Sequence, residues 1–386
     1  MKSFKLMAVL GWLGLSACGS PPSEPPAEPG QELPTEPLES EQGQDAVLAP
    51  SLAFAADGQL ALAWAGPSDL SVRRWTGTRW ESLGNGLSAF AGETRAFWSA
   101  VQMDGQGNPV VAWQEHVPDD LLRTSIIVRR WAGGRWVELG SPLNIGRDSN
   151  DAYKPSLRLD SEGNPLVAWS EWDGEKKIAV RRWGPKGWQA LGPTTVAPGT
   201  AWGLELVGNT PVLVSQRFLD DGLHVVIEVR RWTGSTWENL GAPIGERAIA
   251  PQVRADAAGN LYLAWLDEGT YPAPSRLQVV RWSGTAWEAL GSDVAVSSGN
   301  TNLGVPALEL DAEGRPLVAW IHSQTTQGLR VARWTGENWS VKVVEESTVP
   351  GSSDGWVTMG FHPAQGVVVA WTPHESMKLR VLRVLP

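Results

Sequence analysis

The sequence is poor in several residue types that common functional sites require. Its 386 residues include one cysteine, Cys18, which excludes an intrachain disulfide and a metal site made of several thiolates. The 5 histidines share no metal-ligand spacing. No nucleophile elbow, phosphate loop or dinucleotide fingerprint occurs either. We therefore predict no metal, no cofactor and no catalytic residue.

Positive charge is also scarce, since 32 Lys and Arg residues stand against 42 Asp and Glu residues and the net charge is −10. Proteins bind nucleic acids by neutralising phosphates with clustered Lys and Arg, and no basic stripe is present here. The sequence therefore predicts no nucleic-acid partner.

Long apolar runs are missing except at the start of the chain. There a lysine-containing start precedes an apolar stretch, 6–15, which is too short to span a bilayer as a mature helix. The next residues, Leu-Ser-Ala-Cys, resemble the bacterial lipobox and end at Cys18. The resemblance implies that residues 1–17 are a lipoprotein signal peptide and that Cys18 carries a lipid anchor with acyl chains such as palmitate. An ordinary secretory signal with an incidental cysteine is the alternative.

Residues 18–46 are predicted to form a disordered tether behind the lipidated cysteine. Between Gly19 and Ala46 there are seven Pro, six Glu and no Lys or Arg, a composition that cannot bury enough apolar surface to fold. We expect the chain to touch the membrane through its N-terminal lipid only. The absence of Asp after the cysteine favours the bacterial outer membrane, on its periplasmic or its surface-facing side.

Tryptophan is abundant, with 23 Trp against 6 Phe and 3 Tyr, and it marks a repeat. Segments like Gly-Asn-Pro-Leu-Val-Ala-Trp recur at intervals of 46 to 56 residues, and a related copy ends at Ser215. Six copies are followed by a segment like Val-Arg-Arg-Trp and, five residues further on, by a Trp that in most copies opens a segment like Trp-Glu-x-Leu-Gly, whereas the last copy has Val384 at the first of these positions. The first kind of segment ends at Trp64, Trp113, Trp169, Trp265, Trp320 and Trp371.

Each unit of this repeat contains four short apolar segments separated by turns, and none has a helical period. Seven such units predict an all-β fold, a seven-bladed β-propeller of four-stranded antiparallel blades over residues 47–386. The seventh unit lacks an outer strand. We therefore expect either a three-stranded, incomplete last blade or a blade closed by a weak N-terminal strand from about residues 31–48.

The repeat resembles a loosely defined class of bacterial Trp-repeat propellers, and in general shape it is similar to kelch and sialidase propellers. The double-Gly motif of kelch and the Ser-x-Asp-x-Gly-x-Thr-Trp box of sialidases are absent. The resemblance therefore implies an architecture and no particular activity.

Most repeated residues are predicted to be structural. Trp residues at the same phase in every unit fit core packing between blades. The two arginines of a pair such as Arg129 and Arg130 point to opposite faces of their strand, where one can lie against a Trp ring. Turns such as Asp160–Asn164 fit tight hairpins better than calcium loops.

Positions that break the repeat are the candidates for ligand binding. They follow the second strand or precede the first strand of each unit, so they share one loop face of the propeller. The candidate residues are Trp98, Glu115, His116, Tyr153, Glu171, Trp172, Trp202, Arg217, Asp267, Glu268, His322, Trp356 and His374.

Aromatic side chains mixed with polar ones on one face favour a non-enzymatic protein, a monomer that binds a glycan or a protein partner in the cell envelope. The alternative is a glycan-cleaving hydrolase, for which Glu115, Glu171, Asp267 and Glu268 are the only plausible carboxylates. A purely structural component of an envelope complex is a third possibility.

Overall fold

The computed structural model describes residues 35–37, 48–66, 69–84, 86–90, 94–118, 120–140, 142–146, 151–269, 273–297, 302–323, 327–346, 355–373 and 378–384. The predicted signal peptide, Cys18 and the candidate His374 lie outside these residues. Strands make up the regular structure of the described part, where no helix is long and apolar enough to cross a membrane.

The strands form seven antiparallel sheets. The first three blades are β2 (Leu48–Phe54), β3 (Leu60–Ala65), β4 (Leu70–Trp75) and β5 (Trp80–Ser82); β6 (Ala96–Met103), β7 (Pro109–Val117), β8 (Asp120–Ala132) and β9 (Arg135–Glu138); and β10 (Asp151–Leu159), β11 (Pro165–Trp172), β12 (Lys176–Gly184), β13 (Gly187–Ala190) and β14 (Ala197–Pro198). The fourth and fifth are β15 (Thr200–Val207), β16 (Thr210–Phe218), β17 (Val225–Trp232) and β18 (Trp237–Asn239); and β19 (Ala248–Ala255), β20 (Leu261–Asp267), β21 (Arg276–Trp282), β22 (Trp287–Ala289) and β23 (Ala295–Val296). The last two are β24 (Asn302–Leu303), β25 (Ala307–Leu310), β26 (Pro316–Ser323), β27 (Gln327–Trp334) and β28 (Trp339–Glu346); and β29 (Val357–His362), β30 (Gly366–Trp371) and β31 (Arg380–Val384), joined by β1 (Thr35–Pro37).

The blades stand in a closed ring. The innermost strand of each blade contacts that of the next, in the order β2, β6, β10, β15, β19, β25, β29 and back to β2. Both faces of a blade are therefore covered by neighbours, which is why every residue of β3 is buried. Apolar side chains from adjacent blades form the core clusters. The predicted all-β, seven-bladed propeller is confirmed.

The ring is closed by an N-terminal strand. β1 pairs antiparallel with β31, so that Thr35 lies opposite Val384 and Pro37 opposite Leu382. This was one of the two predicted outcomes for the last blade. Residues 35–37 belong to the segment that the sequence assigns to the tether, yet here they form the outer strand of the seventh blade.

The first tryptophan of a Trp-Glu-x-Leu-Gly segment forms a hydrogen bond to the preceding blade. The Trp136 indole of the second blade donates a hydrogen bond to the carbonyl oxygen of Leu83 in the first, at 2.6 Å. Gly84 follows Leu83 with a φ of +93°, and a Cβ there would lie 3.5 Å from the Trp136 ring. Equivalent bonds join Trp237 to Leu191 at 2.8 Å, Trp287 to Leu240 at 2.7 Å and Trp339 to Leu290 at 3.0 Å. This supports the structural interpretation of the repeated tryptophans.

The arginine pairs and the Asp turns also have packing roles. The Arg129 guanidinium lies 5.5 Å from the centroid of the Trp113 ring, and Arg130 donates to the carbonyl oxygen of Gly163 in the next blade. The Asp160 carboxylate accepts the backbone N–H of Asn164 at 2.8 Å and so closes a hairpin turn. These contacts need no ligand.

A cleft of about 470 Å³ separates the sixth and seventh blades at their outer ends. Val384 lines it in the register that a tryptophan holds in the other blades, and Lys342 lines it where the others have the leucine of Trp-Glu-x-Leu-Gly. In the other blades the third and fourth strands each place a tryptophan at this register, as Trp75 and Trp80 do in the first blade. Here Val384 and Thr35 take these two positions, so the interface lacks the tryptophan pair. The cleft is the space that this pair would fill.

Candidate functional site

One end of the propeller axis is shaped by irregular strand starts. The innermost strands of blades one to five each contain a register shift near their first residues. A β-bulge turns a side chain away from its usual direction. Ala49, Trp98, Lys154 and Ala250 have positive φ angles of 43°, 35°, 53° and 53° in these bulges. Such conformations cost roughly 1–3 kcal/mol each and concentrate at functional sites.

The bulges surround a cavity of about 180 Å³ on the axis, lined by residues from all seven blades. Most blades contribute to this cavity one residue near the start of their first strand. We call this set of residues the axial ring. It consists of Ala49, Trp98, Lys154, Trp202, Val305 and Trp356. Within the axial ring the large side chains come from blades two, three, four and seven, while the fifth blade lines the cavity with Gln252 and Arg254.

The three tryptophans of the axial ring come together around one lysine. The Trp98 and Trp356 rings meet edge to face, with centroids 4.5 Å apart and an interplanar angle of 90°. The Lys154 Nζ atom lies 3.6 Å from the Trp202 ring centroid and 4.7 Å from that of Trp98. Three of the sequence-predicted tryptophans therefore form one site.

Lys154 is held in this site without an ion-pair partner among the described residues. Its contacts there are the two cation–π contacts and a backbone N–H bond of 3.4 Å to Gln114 Oε1. Burial, with a smaller contribution from the positive charge of Lys176, lowers the pKa of Lys154 to about 8. The site thus presents a desolvated ammonium that no carboxylate of the described chain neutralises.

Further along the same strands a row of alternating charges lies beside the cavity. Arg158 donates to both carboxylate oxygens of Glu205, at 3.1 and 3.0 Å. Arg254 lies 3.9 Å from Glu205 and donates to Glu309 at 3.2 Å. Burial alone would raise the pKa of Glu205, but Arg158 and Arg254 outweigh it and lower that pKa. These cations, unlike Lys154, are neutralised by the chain itself.

Two predicted carboxylates, Glu115 and Glu171, are buried, with exposed fractions of 0% and 1%. Glu115 accepts bonds from the Ser88 hydroxyl at 2.6 Å and the Trp113 indole at 2.7 Å. Glu171 accepts hydrogen bonds from the backbone N–H of Ile145 at 2.8 Å and from the Trp169 indole at 2.9 Å. Each holds the loop that leads from the preceding blade into its own blade, and neither lines the cavity.

Other predicted residues lie outside the cavity with partners of their own. Arg217 donates to Glu228 at 3.1 Å, and Glu268 lies 3.7 Å from Arg247. His116 packs against the Phe97 ring, with centroids 5.0 Å apart.

Burial is the main cause of the pKa shift of three more candidates. It raises the pKa of Tyr153 and of Asp267, and it lowers the pKa of His322. In the ranges that the structure describes, no group of three or more His, Cys, Asp or Glu residues could hold a metal ion.

Trp172 differs from the other predicted tryptophans, because it lies outside the cavity and is 46% exposed. It stands at the end of β11 opposite the first residue of β10, so it belongs to the same face as the axial ring. Phe218, at the end of β16, is 51% exposed, and the Lys176 Nζ atom lies 5.0 Å from its ring centroid. We call Trp172, Lys176 and Phe218 the rim platform.

Lys154 stands next to the predicted Tyr153 at a position that breaks the repeat, but it was not selected as a candidate from the sequence. A signal for it exists, since it stands six residues before the turn residue Asp160, as Trp98 does before Asp104 and Trp356 before His362. Counting backwards from the turn identifies the axial position in these blades. The usual strand alternation does not, because the bulge adds a residue.

No protein-family model matches this sequence. No curated protein matches it either.

Solved structures share the architecture at low sequence identity. A catalytically inactive virginiamycin B lyase from Staphylococcus aureus, in complex with quinupristin, has a TM-score of 0.55 and 9% identity over 91% of this chain and 99% of its own. An α-L-arabinofuranosidase from Fusarium graminearum, in complex with arabinobiose, has a TM-score of 0.50 and 11% identity over 91% and 98%. The sialidase Hz136, described as Hadza microbial, has a TM-score of 0.49 and 14% identity over 84% and 73%. At 9% and 11% identity, the likeness to the lyase and the arabinofuranosidase shows a shared fold alone.

Proposed function

We propose that this protein binds a glycan in the axial cavity without cleaving it and presents this site from a lipid anchor in the bacterial cell envelope. The observation that carries the proposal is the meeting of Trp98, Trp202 and Trp356, three tryptophans that break the repeat, at the axis. Blade packing does not require them, because the repeated tryptophans already supply it.

Indole rings suit this role for a physical reason. They offer large, rigid apolar faces to the C–H faces of a sugar ring, while polar groups nearby fix its orientation. Three residues of the axial ring, Ala49, Trp98 and Lys154, also have strained backbone conformations. A fold retains such strain where the placement of a side chain is useful.

The envelope location is part of the same proposal. It rests on the resemblance of the residues around Cys18 to a lipobox and on the Pro- and Glu-rich composition that follows. The protein would then be a monomer held by lipid at the outer membrane, with the propeller mouth available to its ligand.

Isothermal titration of the full chain with a panel of oligosaccharides tests the binding proposal. We expect at least one glycan to bind and the Trp202→Ala variant to lose at least tenfold in affinity. Trp232→Ala, which removes a repeat-phase tryptophan far from the axis, is the control and should bind normally. If no glycan binds, the proposal fails and a protein partner or a structural role takes its place.

A glycan-cleaving hydrolase is the second candidate, because a propeller of this shape is used by the arabinofuranosidase with which the chain shares its fold. Such enzymes use two carboxyl groups about 5–10 Å apart. Since Glu115 and Glu171 are buried in structural bonds, Asp267 and Glu268 would have to act. Release of reducing ends from the same panel, lost in Asp267→Asn and Glu268→Gln, would favour this candidate.

A further inference from the structure

We propose that the axial cavity takes an acidic sugar, a uronic acid residue whose carboxylate pairs with the Lys154 ammonium while its ring contacts the surrounding indoles. This inference rests on the proposed glycan-binding function and names the class of sugar.

The charge balance of the cavity favours an anionic ligand. Two cationic side chains line it, Lys154 and Arg254. Arg254 is already neutralised by Glu309 at 3.2 Å, with Glu205 a further partner. Lys154 has only aromatic faces around its ammonium, and the nearest charge that acts on it is another cation, Lys176. A buried cation is costly unless it is paired, so a ligand carboxylate would complete the site.

The volume of the cavity favours a single sugar ring. At about 180 Å³ it is smaller than the roughly 300–1,000 Å³ of pockets that enclose drug-sized ligands. A longer glycan would therefore place one sugar ring in the axial cavity and its other rings on the loop face of the propeller.

The rim platform provides a place for the next ring. Trp172 and Phe218 expose half of their surfaces there, and Lys176 is an exposed cation between them. Lys176 is close enough to act electrostatically on Lys154. Two lysines next to aromatic rings, in a chain with a net charge of −10, form a local site for a chain of acidic sugars.

The pairing of the ligand carboxylate with the Lys154 ammonium should weaken as the pH rises. The carboxylate binds only the protonated amine, and the pKa of Lys154 is about 8 in the free protein. The affinity for the acidic sugar should hold below pH 8 and fall above it. The charged groups that face this lysine are Lys176 and, across the cavity, Arg254 with Glu205 and Glu309.

The test compares galacturonate, glucuronate and mannuronate trisaccharides with the neutral hexose trisaccharides of the same linkage, by titration calorimetry on the full chain at pH 7. We expect at least one uronate to bind tenfold or more tightly than its neutral counterpart. Lys154→Gln should remove this preference, so that acidic and neutral sugars bind with equal affinity, and Lys154→Arg should retain part of it. Lys186→Gln, an exposed lysine in the hairpin between β12 and β13, is the matched control.

The outcomes separate this inference from the proposed function. Binding of neutral and acidic sugars with equal affinity, or a preference that survives in Lys154→Gln, overturns the acidic-sugar inference and leaves glycan binding intact. Binding of no sugar at all overturns both. Near-ultraviolet circular dichroism, dominated by the tryptophans, verifies that each variant is folded, and Lys176→Gln supplies a second variant that should reduce the preference for uronates.

Discussion

Trp98 of the second blade and Trp356 of the seventh meet edge to face, with ring centroids 4.5 Å apart, although the first blade lies between them. They can do so because the first blade contributes Ala49 to the axial ring. With Lys154 and Trp202 on the other side, they turn the end of a repetitive ring into an asymmetric site. Four predictions follow from this arrangement and from the contacts that support it.

Lys154→Met should stabilise the protein at neutral pH. The folded chain buries an ammonium that has no anionic partner in the described residues, and its pKa of about 8 lies below that of an exposed lysine. Partial exposure and the lost cation–π contacts limit the gain to about 1–2 kcal/mol. As pH rises above 8, the wild-type lysine loses its charge in the folded state first, so the difference should shrink. Urea unfolding at pH 7 and pH 9.5 measures this, and a variant less stable than wild type at pH 7 would contradict it.

Glu205→Gln should destabilise the propeller by about 3 kcal/mol, because it leaves the guanidinium of Arg158 without its bidentate carboxylate. The pKa of Glu205 is lowered in the folded state, so its contribution is present above the pKa of an exposed glutamate and is lost as the pH falls below the folded value. The deficit should therefore narrow at pH 3. Glu313→Gln, which breaks an exposed ion pair with Arg315, is the control and should cost less than about 0.5 kcal/mol. Equal losses in the two variants would exclude a special role for the buried pair.

Gly140→Ala should cost more than Gly134→Ala, although the two glycines have similar φ angles of 80° and 76°. Both substitutions place an alanine in the left-handed region, at about 1 kcal/mol. Only at Gly140 would the added Cβ also lie 3.0 Å from the Trp188 ring and 3.2 Å from Trp183. We expect an additional loss of about 1–2 kcal/mol there, measured as a difference in unfolding free energy. No difference would mean that the neighbouring blade yields to the methyl group.

Thr35→Trp should stabilise the ring by about 1–2 kcal/mol. Position 35 lies opposite Val384, the register in which the other blades pair two tryptophans, and the adjacent cleft measures about 470 Å³. Thr35→Val, which keeps a β-branched residue but adds no ring, should have little effect. Thermal unfolding decides the matter, and a Tm at or below that of wild type would show that the cleft does not accept an indole.

The propeller fold could be predicted from the sequence because the same sequence pattern recurs in successive blades. All units repeat the buried second strand and most repeat the hairpin turns and the Trp-Glu-x-Leu-Gly segment, so one physical interpretation applies around the ring. The closing strand was harder to locate. Thr35-Glu36-Pro37-Leu38 shares only the glutamate and the leucine with Trp80-Glu81-Ser82-Leu83 and lacks the tryptophan, the residue that makes the motif recognisable.

The site was only partly predictable. Sequence reasoning selected Trp98, Trp202 and Trp356 because they break the repeat, and the structure places them together. It could not separate Glu115 and Glu171 from a ligand site, since their burial depends on bonds to loops 25 to 27 residues away along the chain.

The sequence by itself determined the all-β repeat, the number of blades and which tryptophans pack between them, because those properties are encoded locally and repeated. Only the tertiary structure decided which residues meet. Closing the ring brings together residues from blades that are far apart in the chain, and the bulges turn Lys154 into the cavity in place of its neighbour Tyr153. The distance of 4.5 Å between the Trp98 and Trp356 ring centroids arises from that closure, and no pattern within a single unit contains it.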